Sequence, residues 1–282
     1  MREYSFEDLK GKVCVLTGGG GIIGASLALG LAEVGIKVAI LDFNVESAEK
    51  VARTVGEKTG GTTVSVFGDV LKREDLVEAK KQVNARLGKI DILINGAGGN
   101  HPAAITQLEF LGRENLGELS KGFFGLDLEG FKKVFDLNFL GTVLPTMVFA
   151  EDLAAGGGSI LNISSMNSYR PLTKVPAYSA AKAGINNLTQ WLAVHLAGLG
   201  IRVNAIAPGF FLTGQNRDML IDQKTGGLTE RGRKIISHTP MGRFGETAEL
   251  VGTALYLLSG LARFVTGIVI PVDGGFSAYS GV

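Results

Sequence analysis

Short apolar runs alternate with longer mixed segments along most of the chain. Residues 12–17 (KVCVLT) and 37–42 (KVAILD) are apolar without strict alternation, which is typical of strands buried on both faces of a parallel sheet. Similar runs predict five more strands, at 62–67, 91–98, 158–163, 201–209 and 268–272. The intervening segments predict helices at about 22–34, 45–58, 72–87, 130–155, 176–198 and 246–259.

This alternation predicts an α/β fold, a doubly wound parallel sheet with helices on both faces. The length of 282 residues and the 45% hydrophobic content allow one large core, so we expect a single domain over residues 1–282. Two segments are rich in glycine and polar residues, and both are predicted to be irregular. They are an insertion at about 99–130 and a loop at about 210–240.

Composition and charge exclude several classes of protein. The net charge is +1 with the two signs interspersed, so there is no basic surface for nucleic acid. The N-terminus is charged, and no apolar run approaches the roughly 18 residues that span a bilayer. We therefore expect a soluble, cytoplasmic protein that acts on a small molecule. The single cysteine, Cys14, lies in an apolar strand and is interpreted as an inert core thiol.

A glycine turn joins the first strand to the first helix. Four glycines occupy 18–21, and the helix begins near Ile22. Glycines there let the backbone approach a pyrophosphate, whose charge is favoured by the free N–H groups at a helix start. Four glycines alone could be only a flexible turn, but the strand before them and the helix after them favour a dinucleotide site.

Asp42 ends the second strand, 24 residues after Gly18. At about this spacing a carboxylate bonds the adenosine ribose hydroxyls. A carboxylate repels a 2′-phosphate, and residues 19–21 and 43–44 contain no Arg or Lys. NAD is therefore predicted in preference to NADP. The alternative is that Asp42 only caps the helix that begins near Val45.

Reactive side chains concentrate in residues 162–182. Tyr178 and Lys182 are four apart at the start of a helix, so they share one face. A lysine ammonium beside the phenol is expected to lower the Tyr178 pKa toward the working pH, as a general acid/base requires. Ser165, at a strand end, could hold a substrate oxygen. Tyr and Lys at this spacing could also be a chance surface pair, but the surrounding motifs favour catalysis.

These three residues, the glycine turn and the Asn-Gly-Ala-Gly at 95–98 resemble the short-chain dehydrogenase/reductase superfamily over nearly the whole chain. The resemblance implies a Rossmann fold of seven strands in the order 3-2-1-4-5-6-7. It implies an enzyme that interconverts a secondary alcohol and a ketone with a nicotinamide cofactor. It also implies four catalytic residues, which are Asn138, Ser165, Tyr178 and Lys182.

The same resemblance implies the residues around the cofactor. They are Gly18, Gly21, Ile23, Asp42, Asp69, Val70, Asn95, Ala97, Gly98, Tyr178, Lys182, Pro208, Gly209 and Thr213. The family pattern TGxxxGxG is met at Thr17, Gly18 and Gly24, but its middle glycine position holds Ile22. Asp69 could otherwise cap a helix. Family members commonly pair through the helices at 130–155 and 176–198, which implies a homotetramer.

Five further segments, at 98–102, 165–171, 208–213, 240–245 and 274–281, resemble the branch described as D-mannonate oxidoreductase or fructuronate reductase. A sugar acid needs a cation for its carboxylate and hydrogen-bonding groups for its hydroxyls. The predicted substrate contacts are Asn100, His101, Ser165, Asn167, Arg170, Gln215 and Arg217, with Lys174 as a further candidate cation.

Several alternatives to this substrate remain open. The cations could be solvated surface charges, and the substrate could be another polyol or keto acid such as gluconate. The chain could also be a catalytically silent nucleotide-binding sensor, since fold does not fix function. His101 has no partners at ligand spacing, so it is interpreted as a hydrogen-bonded loop residue and no metal is expected.

Overall fold

Seven parallel strands form one sheet in the order β3-β2-β1-β4-β5-β6-β7. The computed structural model describes residues 4–213 and 217–281, with only the backbone at 218. The strands are Val13–Thr17 (β1), Lys37–Asp42 (β2), Thr63–Phe67 (β3), Ile92–Asn95 (β4), Gly158–Ile163 (β5), Ile201–Pro208 (β6) and Val269–Val272 (β7). The predicted strand number and order are confirmed.

Helices cover both faces of this sheet. They are Ile22–Glu33 (α1), Val45–Thr59 (α2), Arg73–Arg86 (α3), Leu128–Phe135 (α4), Gly141–Leu153 (α5), Pro176–Leu196 (α6), Arg217–Leu220 (α7), Glu230–Ser237 (α8) and Glu249–Leu258 (α9). One core cluster contains buried side chains of α1, α2 and α9. The other contains buried side chains of α3, α5 and α6. The sheet is therefore doubly wound.

Strand β1 shows why its sequence has no polar alternation. All five of its residues are buried. Cys14 and Leu16 belong to the first cluster, and Val13 and Val15 belong to the second, so successive side chains enter opposite cores. Full burial of Cys14 raises the pKa of its thiol, in keeping with an inert core residue.

The helix predicted at 130–155 is interrupted in its middle. A π-helical turn, Asp136–Leu140, separates α4 from α5 and contains Asn138. The helical stretch Arg113–Leu153, which includes this turn, is long and apolar enough to cross a membrane by length and composition alone. The sequence predicted no such segment, because it contains no continuous apolar run of that length. Its apolar side chains have a different explanation in the fold, because α5 packs against α3 and β4 in the core.

The segment at 99–130 folds as short 3₁₀ helices, Pro102–Ala104, Arg113–Lys121 and Phe123–Gly125, with irregular chain between them. Its backbone is joined to the chain before α6, because the Thr106 N–H donates to the Lys174 carbonyl over 3.0 Å. The segment at 210–240 contains the short helices α7 and α8. The 99–130 segment therefore lies beside the chain that leads to Tyr178.

Candidate active site

The carboxyl ends of the parallel strands bring the functional segments to one edge of the sheet. The glycine turn follows β1, and Asp42 ends β2. Ser165 follows β5, and Phe210 follows β6. In an open α/β sheet the ligand site lies at this edge, near the point where strand order reverses, which here is between β1 and β4.

A cleft of about 440 Å³ lies at this edge, over the ends of β1, β2, β3 and β4. Nine of the predicted cofactor residues line it, namely Gly18, Gly21, Ile23, Asp42, Asp69, Val70, Ala97, Gly98 and Thr213. None of the described lining residues is Lys or Arg. The cleft therefore offers two carboxylates, backbone groups and uncharged side chains to a bound molecule.

The glycine turn allows a close approach of backbone at the start of α1. Gly18 has φ 64°, and a Cβ there would lie 2.7 Å from the Ala97 Cα. A Cβ on Gly24 would lie 2.5 Å from the Gly18 carbonyl oxygen. Gly21 is the N-cap of α1, and no side chain caps this end. The first N–H groups of the helix therefore have no side-chain acceptor, as a phosphate site requires.

Asp42 faces the cleft and is tied to the glycine turn. Its Oδ2 accepts a 3.0 Å hydrogen bond from the Gly20 N–H, and its Oδ1 accepts one of 3.0 Å from the Asn44 N–H. Helix α2 is capped by Asn44, whose Oδ1 accepts from the Ser47 N–H at 3.0 Å. The alternative that Asp42 caps this helix is therefore wrong.

The Asp69 carboxylate also holds local backbone at the cleft. Its Oδ1 accepts a 3.0 Å hydrogen bond from the Leu71 N–H, and its Oδ2 lies 3.5 Å from the Lys72 ammonium. The N-cap of α3 is Lys72. Asp69 therefore stabilises the turn before α3. It also lines the cleft in which the cofactor is predicted to bind.

Five predicted cofactor residues do not line the cleft. Two of them, Tyr178 and Lys182, belong to the catalytic group, and the other three are Asn95, Pro208 and Gly209. The Asn95 side chain is buried in the core, where its Nδ2 donates to Thr146 Oγ1 over 3.0 Å and to Asn162 Oδ1 over 2.9 Å. A Cβ on Gly209 would lie 2.6 Å from the Asp273 Cα, so Gly209 and Pro208 pack against the end of β7. Asn95 links β4 to β5 and α5 inside the core, because its side-chain amide donates hydrogen bonds to buried polar groups of both elements.

The four predicted catalytic residues come together beside Gly98. Ser165 is hydrogen-bonded to Tyr178 through their side chains. The Lys182 ammonium lies 5.6 Å from the centre of the Tyr178 ring and donates a 2.7 Å hydrogen bond to the Ile163 carbonyl. A Cβ on Gly98 would lie 2.6 Å from Asn138 Oδ1 and 3.3 Å from Lys182 Nζ. Only glycine leaves room for both side chains at this position.

The proton affinities of Tyr178 and Lys182 are set mainly by burial. Burial raises the pKa of Tyr178, and the hydrogen bond from Ser165 offsets part of this rise. The expected lowering of the Tyr178 pKa by Lys182 is therefore wrong for the protein without ligands. The phenol packs with Phe131, Val134 and the insertion residue Ala104, which remove water from it. Burial also lowers the pKa of Lys182 to about 8, so its ammonium is still mostly protonated at neutral pH.

Asn138 connects the interrupted helix to the cofactor cleft. Its Nδ2 donates to the Gly99 carbonyl over 2.7 Å and to the Val134 carbonyl over 2.8 Å. Its Oδ1 accepts from the Gly99 N–H at 3.2 Å. The amide thus satisfies backbone groups at the π-helical turn and fixes the chain that follows Gly98, which explains a fully buried asparagine inside a helix.

A second amide, Asn186, was not found by sequence reasoning. Its Oδ1 accepts a hydrogen bond from Ser164, and its Nδ2 donates one of 2.8 Å to Ser168 Oγ. Ser168 Oγ in turn donates to the Ser165 carbonyl over 2.6 Å. The available signal was spacing, since Asn186 follows Lys182 by four residues and shares its helix face.

Among the predicted substrate residues, two belong to the loop after β4. Asn100 Oδ1 accepts from the His101 N–H at 3.0 Å, and His101 Nδ1 accepts from the Ala103 N–H at 3.3 Å. His101 is thus a hydrogen-bonded loop residue, as interpreted from the sequence. Within the described ranges no group of three His, Cys, Asp or Glu could hold a metal ion.

The other predicted substrate residues lie in three places. Asn167 is buried next to Ser165, and its Oδ1 has no hydrogen-bond partner in the described structure. The side chains of Arg170 and Arg217 are exposed, and neither lines a cavity described below. Gln215 lies outside the described residues. The structure therefore brings Asn167 to Ser165 and leaves Arg170 at the surface.

A second cavity, of about 200 Å³, lies over the ends of β5, β6 and β7. Its walls come from the chain before α6, the insertion, α8 and the ends of β6 and β7. The lining residues are Glu109, Phe110, Pro171, Leu172, Thr173, Lys174, Val175, Phe210, Arg231, Lys234, Ile235, His238 and Phe276. The wall is thus part apolar and part cationic.

The fold and the site define a class of dinucleotide-binding oxidoreductase, and comparisons with known proteins agree. Residues 21–277 match the family model described as Enoyl-(Acyl carrier protein) reductase. The chain belongs to the short-chain dehydrogenase/reductase family.

Individual relatives span nearly the whole chain. It is 52% identical to the uncharacterized oxidoreductase UxuB of Bacillus subtilis, over 98% of each protein. It is 31% identical to 2-dehydro-3-deoxy-D-gluconate 5-dehydrogenase of Escherichia coli, over 96% of this chain and 97% of that one. A solved structure from Haemophilus influenzae, with bound NAD and described as a proposed D-mannonate oxidoreductase, is 49% identical with a TM-score of 0.92 over 98% of each chain.

Proposed function

We propose that this protein is an NAD(H)-dependent oxidoreductase that interconverts D-mannonate and D-fructuronate. The observation that carries the proposal is that Ser165, Tyr178, Lys182 and Asn138 come together beside Gly98 of the dinucleotide cleft, while the chain that leads into α6 lines a second cavity with a cationic wall. The names of the Haemophilus influenzae and Escherichia coli proteins support a sugar acid as the substrate.

The residues of the cleft fit a dinucleotide. The uncapped start of α1 and the Gly18 turn suit a pyrophosphate, and Asp42 suits the adenosine ribose hydroxyls. When bound, NAD supplies a hydride acceptor for alcohol oxidation, and NADH supplies a hydride donor for ketone reduction. The carboxylate of Asp42 and the absence of Lys or Arg from the described cleft wall favour NAD over NADP.

The chain's own residues manage the proton and the substrate oxygen. In oxidation Tyr178 accepts the hydroxyl proton of the substrate, while Ser165 donates a hydrogen bond that holds the reacting oxygen. In reduction Tyr178 returns a proton to the carbonyl oxygen. Lys182, with a pKa of about 8, is mostly protonated at neutral pH and can pass a proton toward the tyrosine. Asn138 holds the backbone beside Lys182 in place.

A panel assay tests the function directly. Purified protein should oxidise NADH in the presence of D-fructuronate and reduce NAD in the presence of D-mannonate. The panel includes gluconate-type keto acids, neutral polyols and an acyl ketone. Turnover of a neutral polyol or an acyl ketone, with none on any sugar acid, would reject the sugar-acid assignment and leave the reaction class. No turnover of any kind would favour a nucleotide-binding sensor.

We propose that the working form is a cytoplasmic homotetramer. Met147 on α5 and Trp191 and Val194 on α6 expose large apolar side chains, and Val194 is 82% exposed. Phe264, between α9 and β7, is fully exposed. Apolar residues of this size on helix faces are typical of contacts between subunits. Light scattering at micromolar concentration tests the assembly, and a monomer there would contradict it.

A further inference from the structure

The cavity over β5, β6 and β7 has an excess of positive charge. Lys174, Arg231 and Lys234 line it together with a single carboxylate, Glu109. All three cations lie close enough to Glu109 to lower its pKa, and the strongest effect is the hydrogen bond from Lys234. Three cations around one carboxylate leave a surplus of two positive charges at this wall.

One of the three cations is already paired. Lys234, on α8, forms a salt bridge with Glu109 of the insertion, and its ammonium lies 5.9 Å from the centre of the Phe110 ring. This contact joins the insertion to the 210–240 segment above the cavity. Lys174 and Arg231 make no salt bridge within the described ranges 4–213 and 217–281. They are therefore the cations that remain for a ligand.

Apolar side chains form most of the rest of the cavity wall. Leu172, Val175, Phe210, Ile235 and Phe276 line the same cavity. Charge-assisted hydrogen bonds are stronger where water is excluded. Lys174 and Val175 precede Tyr178 by four and three residues, so this wall leads into the start of the helix that carries the phenol.

We propose that Lys174 and Arg231 bind the carboxylate of the substrate. Lys234 lies in the same wall, where its salt bridge with Glu109 holds it in place. The inference rests on the proposed function, and it assigns the carboxylate to Lys174 and Arg231 instead of Arg170. An anionic substrate anchored here extends its reacting carbon toward Ser165 and Tyr178. Neutral substrates of the same length lack this anchor.

Steady-state kinetics with Lys174→Met and Arg231→Met test the assignment, with Arg233→Met on the same helix as the matched control. Arg233 is exposed, does not line the cavity and donates to the Leu228 carbonyl over 2.7 Å. Each cavity variant should raise KM for D-fructuronate by roughly tenfold to a hundredfold, because one charge-assisted contact is lost. The value of kcat should stay within about threefold, since the reacting centre is untouched.

Three outcomes would overturn the inference. They are an unchanged KM in both cavity variants, an equal rise in KM for D-fructose and D-fructuronate, and an effect found with Arg170→Met in place of the cavity variants. Far-UV circular dichroism confirms that each variant is folded.

Failure of the proposed function gives a separate signal, because wild-type protein would then turn over no sugar acid. In that case calorimetric titration of NAD-loaded protein with D-mannonate and D-mannitol tests the site alone. Tighter binding of D-mannonate, abolished in the double variant, supports it. Equal binding of the two ligands overturns it.

Discussion

Ser164 donates a 2.5 Å hydrogen bond to the side-chain oxygen of Asn186, one helical turn beyond Lys182. The same amide donates to Ser168, so it holds both sides of the catalytic Ser165. Because Ser165 sits on a loop and Tyr178 on a helix, their alignment depends on contacts between those two elements. Asn186 supplies such a contact and is a positioning residue.

Asn186→Ala should lower kcat by roughly tenfold to a hundredfold, because a small displacement of a catalytic group is costly. The dissociation constant for NADH should stay nearly unchanged, because Asn186 does not line the cleft. Asn187→Ala is the matched control, since that neighbour is exposed. Fluorescence titration and steady-state kinetics measure the two quantities. Equal losses in both variants would contradict the positioning role.

Tyr178→Phe should remove turnover while the protein still binds NAD. The change deletes the transferable proton and keeps the buried ring, so a loss of roughly 10²- to 10⁴-fold in kcat is expected. Stopped assays of NADH formation measure the loss, and NADH fluorescence measures binding. A rate within about tenfold of wild type would reject Tyr178 as the proton-transferring group.

Lys182→Met should abolish turnover and raise the free energy of unfolding. Burial lowers the folded-state pKa of Lys182 from 10.5 to about 8, so the unfolded chain binds the proton more tightly between these values. The resulting destabilisation is fully present below about pH 8 and is relieved as pH rises toward 10.5.

A methionine at 182 removes that penalty and also the 2.7 Å hydrogen bond to Ile163. The net gain at pH 7 should be roughly 1–3 kcal/mol. Urea denaturation of cofactor-free protein measures it, and the difference between variant and wild type should shrink as the pH is raised. A variant less stable than wild type at pH 7 would contradict the burial argument.

Alcohol oxidation should become faster as the pH rises, because only the deprotonated Tyr178 accepts the hydroxyl proton. Burial raises its pKa in the free protein, so kcat/KM for D-mannonate oxidation should rise from pH 7 to 9. Ketone reduction needs the protonated phenol and should not rise over that interval. Initial rates in both directions in one buffer series test this, and oxidation that slows over the same interval would contradict it.

Wild-type protein should prefer NAD to NADP by roughly a hundredfold or more in kcat/KM, since a buried like charge costs several kcal/mol. Asp42→Ala should reduce that preference, because the repulsion of the 2′-phosphate disappears. Lys50, which lines the groove next to Gly20 and Ser47, offers a cation to that phosphate once the carboxylate is gone. Equal kcat/KM for the two cofactors in wild type would refute the role of Asp42.

The elements of the sheet and its local motifs were determined by the sequence alone. Apolar runs of β-branched residues specify buried parallel strands, since burial on both faces removes the polar alternation. The shared helix face of two residues such as Tyr178 and Lys182 follows from the 3.6-residue period of the α-helix. The position of Asp42 beside the glycine turn follows from the parallel pairing of β1 and β2, whose ends meet at one edge of the sheet.

The tertiary structure decided what depends on segments distant in sequence. The Tyr178 pKa depends on Ala104 and Val134, which lie more than forty residues away and exclude water from the phenol. The partners of the Asn95 side chain, Thr146 and Asn162, also lie far away in sequence, and they hold its amide in the core. The cavity cations Lys174 and Arg231 meet only because the insertion and α8 fold over the same strand ends. Spacing along the chain does not predict such contacts, because the burial and the charge of a site depend on every element that packs around it.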